Sequence, residues 1–168
     1  SSRGHLVVGG CDVLDLAAQY GTPLYLFDEE MLRNQCRRYV REFTDRHPAT
    51  IVVYACKAYV NPSLARIFME EGLGLDVVSG GELAVAKAAG APMDKLYFHG
   101  NNKSPEELEF AVESGIGRVV VDSFHEMRLL SDIARARFLC WERSSWHSTT
   151  MPLGICVIRT AESVLLMC

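Results

Sequence analysis

Lys57 stands in the run Tyr54-Ala55-Cys56-Lys57-Ala58, among apolar and small residues, with no acidic neighbour in sequence to pair with. At the inner rim of a parallel sheet a lysine is desolvated, which favours the neutral amine that Schiff-base chemistry needs. A solvated lysine at a strand end is the competing reading. His99 ends another apolar run and opens Gly100-Asn101-Asn102-Lys103-Ser104. Its imidazole can stack on an aromatic ligand ring or donate a hydrogen bond, while Asn101 and Asn102 offer amides and tolerate left-handed turns. A structural strand-end histidine explains the same residue. Asp76 lies inside Gly74-Leu75-Asp76-Val77-Val78, where an ionised carboxylate needs a partner such as Lys57 or a ligand cation, unless it is purely structural. Gly80-Gly81 opens a helix whose N-terminus could receive an anion, although the G-x-G-x-x-G spacing is missing. Asp122 directly precedes Ser123 and serves helix entry as readily as catalysis.

These residues act together only if the fold brings them to one place. From Asp28 to about His47, Met31, Leu32, Cys36, Tyr39, Val40 and Phe43 recur at helical spacing, with Asp28 as N-cap and Glu29 and Glu30 in the first turn. Pro23-Leu24-Tyr25-Leu26-Phe27 reads as a short strand, because Pro23 and Asp28 bracket it too closely for a helix. Beyond Pro48 come four apolar runs, Ile51–Ala55, Leu73–Val78, Lys95–His99 and Arg118–Asp122. Near-continuous hydrophobicity of this kind belongs to strands buried on both faces. A helix-start signal follows each run. Asn61-Pro62 puts proline at the first helical position, and Ser79 with Glu82, Ser104 with Glu107, and Ser123 with Glu126 are S-x-x-E capping boxes. Gly72, Gly90 and Gly115 end three of the helices, as left-handed C-caps prefer.

Successive βα units favour a parallel sheet with right-handed crossovers. Lys57, Asp76, His99 and Asp122 fall at or near the strand ends, 19, 23 and 23 residues apart, a length that fits one βα unit with short loops. All four therefore emerge on the C-terminal face, where α/β barrels and open α/β sheets place their chemistry. The expected class is α/β, a partial (β/α)8 TIM barrel of about four βα units, half of a fold that takes ~250 residues.

The chain has 168 residues, 49% hydrophobic and 23% charged, which suits one domain or part of one with a sizeable core. Its net charge of −4 argues against nucleic acid or an anionic membrane as main partner. No apolar run approaches the ~20 residues of a membrane span, and Ser1 to Gly10 lacks the layout of a secretion signal, so a cytoplasmic location is expected. Six cysteines without a CxxC pair or a zinc-like His spacing read as structural thiols, with no metal site.

Taken in order and at their spacing, Tyr54-Ala55-Cys56-Lys57-Ala58, Gly74-Leu75-Asp76-Val77-Val78-Ser79-Gly80-Gly81-Glu82-Leu83 and His99-Gly100-Asn101-Asn102-Lys103-Ser104 resemble the diaminopimelate decarboxylase family. That family belongs to the fold type III pyridoxal-phosphate group, with alanine racemase and ornithine decarboxylase. The likeness runs from about Thr22 to about Ala134, and the H-G-N-N-K-S run points to the diaminopimelate branch. The resemblance implies an alanine racemase-like barrel and pyridoxal 5'-phosphate as cofactor. Lys57 would hold it as a Schiff base and serve later proton steps, Asp76 would influence that Schiff base, His99 would stack on the pyridine ring, and Asn101 would line the pocket edge. It further implies decarboxylation of meso-diaminopimelate to L-lysine and a homodimer. The alternatives are another decarboxylase or racemase of the group, of ornithine or arginine type, or a non-catalytic truncated chain that only binds cofactor.

The family's acidic partner of the pyridine nitrogen, its glycine-rich phosphate loop and its β-domain motifs are not recognisable after Arg137. The expected organisation is therefore an N-terminal strand region over 1–27, a partial cofactor-binding barrel over 28–137 and an unassigned tail over 138–168. In that tail, Ile155–Ile158 and Val164–Met167 are apolar enough for strands or a poor helix. A half-barrel of this kind would leave two sheet edges and the inner sheet face open.

Overall fold

The chain begins with a hairpin and a helix. Strands β1 (Val7–Val8) and β2 (Cys11–Asp12) pair antiparallel, and Asp12 then caps helix α1 (Val13–Tyr20) by accepting from the Leu14 amide. In this computed structural model residues 3–142 and 164–167 are described. The strand expected over Pro23–Phe27 is not formed; the segment is irregular. Its rings go elsewhere: Tyr25 and Phe27 stack on Tyr59 at centroid separations of 5.9 and 5.6 Å. Aromatic content favours a strand only where a neighbouring strand receives it, and here the partner is a loop ring.

Helix α2 (Glu29–Thr44) starts where Asp28 accepts from the Met31 amide, with Glu29 and Glu30 complementing the helix dipole. Four βα units follow: β3 (Ile51–Ala55) and α3 (Pro62–Glu70), β4 (Gly74–Val77) and α4 (Gly80–Ala88), β5 (Leu96–Phe98) and α5 (Pro105–Ser114), β6 (Arg118–Val119) and α6 (Phe124–Glu142). All neighbouring pairs from β3 to β6 are parallel, as expected of a partial barrel. The caps form at Asn61, Ser79, Ser104 and Ser123. Only Ser104 makes the full reciprocal box with its glutamate; Glu82 and Glu126 reach one residue further back, to the amides of Val78 and Asp122. Gly72, Gly90 and Gly115 follow their helices with φ of +87°, +81° and +75°.

Strand alternation sorts the sheet into two faces. Val52, Leu75, Val77, Leu96, Phe98 and Val119 face the helices and join one core with Leu64, Phe68, Leu83, Leu108 and Leu130. Register aligns Ala55, Asp76, Tyr97 and Arg118 as a row on the opposite, inner face. The expectation of an open inner face is not met at Val53, Ala55, Asp76 and Tyr97, which are buried, while Arg118 is half-exposed.

The sheet keeps two edges, as expected, but β3 is not one of them. Strand β7 (Val164–Met167) runs parallel to β3, giving the sheet order β6-β5-β4-β3-β7. Val164–Met167 is thus a strand rather than a helix. Ile155–Ile158, by contrast, lies outside the described residues, and α6 runs across the expected boundary at Arg137. No helix among the described residues is long and apolar enough to cross a membrane.

Of the cysteines whose side chains are described, Cys11 is exposed while Cys36 and Cys56 are buried, and all three are free thiols. Burial, reinforced by Glu82 and Asp76, pushes the Cys56 thiol up to about 12, and burial also raises Cys36. Since the thiolate is the nucleophile, iodoacetamide at pH 8 is expected to alkylate Cys11 at least about a hundredfold faster than either buried thiol. Peptide mapping of a time course reads this, and equal rates would contradict it.

Candidate active site at the C-terminal rim of the sheet

Lys57 sits in a turn immediately after β3, closed by the Ala58 amide donating to the Ala55 carbonyl at 3.2 Å. Two contacts of Tyr54 pin that turn. Its ring stacks on Phe68 at 3.9 Å, and its hydroxyl donates to the Tyr59 carbonyl at 2.8 Å. Lys57 lies near enough to Asp76 for its charge to act on that carboxyl. Lys57 is itself exposed, so the desolvation expected of it does not occur.

Asp76 belongs to the inner face, and only 5% of it is exposed. Its Oδ1 finds no hydrogen-bond partner among the described residues. Burial raises its pKa most; His99, then Lys57 and Lys103, pull it down, and Glu82 pushes it up. His99 follows β5 at the same rim and is exposed, its amide donating to the Val77 carbonyl at 2.8 Å. The Cys56 amide donates to the Asp76 carbonyl at 2.9 Å, so the hydrogen-bond ladder continues to the strand ends that carry Lys57, Asp76 and His99.

Asp76 shows a direction in pH. A carboxyl with a raised native pKa contributes stability below its unfolded value, near 3.8, and loses it as pH rises through the native value. Asp76→Asn is therefore expected to raise the melting temperature at pH 7 by a few degrees and to flatten its fall between pH 4 and 8. Thermal melts across that range check this; a destabilised variant with an unchanged profile would contradict it.

One further feature differs from the sequence reading. Gly80-Gly81 is not an open anion site, because Glu107 Oε1 already accepts from the Gly80 amide at 2.7 Å. Asn101 and Asn102 are exposed on the loop after β5. Lys103, which residue type alone would place in solvent, is buried, its ammonium 2.8 Å from Glu126 and bonded to the carbonyls of Gly100 and Val120. A cavity of about 330 Å³ lined by Thr44, Thr50, Asp94, Lys95 and Arg118 opens at the opposite, N-terminal end of the strands, away from the rim residues.

An exposed primary amine, a buried carboxyl with an unsatisfied oxygen and an imidazole on one rim form a donor set that fits a carbonyl-bearing cofactor. The amine can take the carbonyl carbon, and the unsatisfied oxygen leaves room for a proton or cationic group on the bound molecule.

Comparison with known proteins agrees. The family "Pyridoxal-dependent decarboxylase, pyridoxal binding domain" matches residues 30–144. Diaminopimelate decarboxylase of Bacillus methanolicus is 47% identical over 133 residues, covering 79% of this chain and 31% of the relative. A crystal structure of diaminopimelate decarboxylase from M. jannaschii in complex with L-lysine superposes with a TM-score of 0.74 at 37% identity, covering 80% of this chain and 32% of that one. Lysine/ornithine decarboxylase from Vibrio vulnificus, complexed with putrescine, gives 0.60 at 26% identity over 70% of this chain and 31% of that one. The chain thus spans about a third of the length of the relatives it matches. With a family match across most of its length and its βα units arranged as in the solved decarboxylases, the chain belongs to the pyridoxal-dependent decarboxylases, in the pyridoxal-binding domain.

Proposed function

We propose that the chain provides the lysine-bearing part of a pyridoxal-phosphate site for decarboxylating meso-diaminopimelate to L-lysine. One observation carries this reading: Lys57, His99 and the unsatisfied Asp76 carboxyl share one sheet rim in a chain 47% identical to a diaminopimelate decarboxylase. Lys57 would hold the cofactor through its amine, Asp76 and His99 would sit beside it, and Asn101 would line the edge. Residues 28–137 are the cofactor-binding unit in this proposal, and a cytoplasmic homodimer is the expected assembly.

The chain's own residues do several things. The turn pinned by Tyr54 fixes where the Lys57 amine is presented. Burial keeps a proton on the Asp76 carboxyl to a higher pH than usual, while positive charge on His99 or Lys57 draws it back toward the carboxylate. Protonation at Asp76 is thereby linked to charge on the neighbouring amine, which suits a site that must move protons around it. Bound pyridoxal phosphate supplies the electron sink that delocalises the charge left at the substrate Cα when CO₂ departs. Residues 1–168 span about a third of the relatives' length, and by themselves they are expected to bind the cofactor and to decarboxylate poorly.

A chimera tests the assignment, with residues 30–134 replacing the matching segment of the Bacillus methanolicus relative. Expected is CO₂ release from meso-diaminopimelate in preference to L-ornithine or L-arginine. A folded chimera that prefers ornithine or arginine would favour the alternative decarboxylase. One that retains cofactor without releasing CO₂ would favour the non-catalytic reading.

A further inference from the structure

Lys103 is the most completely enclosed cation described in the chain, its side chain 1% exposed, and the rim chemistry above gives it no part. Its ammonium bonds the carbonyls of Gly100, in the loop after β5, and Val120, just past β6. It also pairs at 2.8 Å with Glu126 in the first turn of α6, and lies over the Phe98 ring at 5.6 Å from its centroid. Three consecutive segments of the C-terminal rim thus converge on one nitrogen. The loop it holds carries His99, Gly100 and Asn101. Gly100 has φ of +105°, and a Cβ there would approach the Val78 carbonyl to 3.1 Å, so the loop passes close over the end of β4 in a conformation suited to glycine.

The ion pair alone does not account for this geometry. Glu126 already has local work, receiving the Asp122 amide at 3.4 Å while its own amide donates to Ser123 Oγ. The carboxylate takes one of the ammonium's three donors, and the other two go to backbone carbonyls on separate segments. Those two bonds fix where the loop leaves β5 and where the chain leaves β6, and the same ammonium acts on the charge of Asp76.

We infer that Lys103 is a positioning residue for the rim: it ties the His99–Asn102 loop to the end of β6 and the first turn of α6, and so fixes where His99 stands relative to Asp76. Its effect on cofactor binding rests on the proposed pyridoxal-phosphate site, whereas its hold on the loop does not.

The test compares the whole chain with Lys103→Met/Glu126→Met, which removes both buried charges together, and with Glu126→Gln, which breaks the ion pair and leaves both carbonyl bonds. Hydrogen exchange is followed without cofactor, and pyridoxal phosphate followed by borohydride then reports the reducible adduct at Lys57. Expected for the double variant is at least tenfold faster exchange over 99–102 with β3 to β5 protected as in the unmodified chain, and at least a fivefold loss of adduct at Lys57. Glu126→Gln is expected to keep both readouts within twofold. Unchanged loop exchange in a folded double variant would overturn the inference. So would equal losses in both variants, or a double variant that does not fold, since either makes the pair a requirement of the fold. Failure of the unmodified chain to form the adduct would overturn the proposed function and leave the exchange result to decide the role of Lys103.

Discussion

Lys57→Ala is expected to weaken pyridoxal-phosphate binding by at least about a thousandfold, because a covalent tether held in place contributes an effective concentration that diffusing cofactor cannot match. Arginine at this position should not rescue binding, since a guanidinium remains protonated and its charge does not replace the amine as a nucleophile. The fold should be untouched, as Lys57 is exposed in a turn held by Tyr54 and Tyr59. Absorbance titration alongside a thermal melt separates the two effects. Binding that survives alanine would place the reactive amine elsewhere.

The largest expected effect on stability lies far from that rim. Gly117, just before β6, packs so closely on the 3-10 turn Met93–Lys95 that a Cβ would come within 2.0 Å of the Asp94 carbonyl oxygen and 2.5 Å of its carbon. The Gly117 amide donates to the Met93 carbonyl at 2.8 Å, so neither backbone can withdraw without losing that bond. Gly117→Ala is expected to cost about 3 kcal/mol or more, a fall in melting temperature of roughly 10 °C for a chain of this size. Gly90→Ala is the control: a Cβ there meets nothing within 4 Å, and only the left-handed backbone opposes it, at about 1 kcal/mol. Calorimetry on both variants checks the contrast. Equal costs would mean that the contact at Gly117 is not what makes that site intolerant.

The four βα units are legible in the sequence because their punctuation is local. Serine or asparagine caps, proline at the first helical turn and glycine at helix ends are decided within a few residues, and Asn61, Ser79, Ser104 and Gly115 act where their types predict. Asp76 is legible for a similar reason, since a carboxylate in an apolar strand must be paired or costly, and its Oδ1 is indeed without a partner among the described residues.

What could not be read depends on partners distant in sequence. Lys103 is buried because acceptors arrive from Val120 and Glu126, and Gly80 is closed by a carboxylate 27 residues later. Pro23–Phe27 has the composition of a strand but meets Tyr59 rather than a sheet edge. The exposure of Lys57 was equally invisible, since rim burial is set by whatever closes over the strand ends and not by the strand itself.

Location of the pyridoxal-phosphate adduct on the purified chain tests the central claim most directly. The chain is incubated with the cofactor, reduced with borohydride and mapped by peptide mass. The account predicts a single stoichiometric adduct on Lys57. Adduct spread over Lys87, Lys95 and other surface lysines, with Lys57 no more modified than they are, would contradict it.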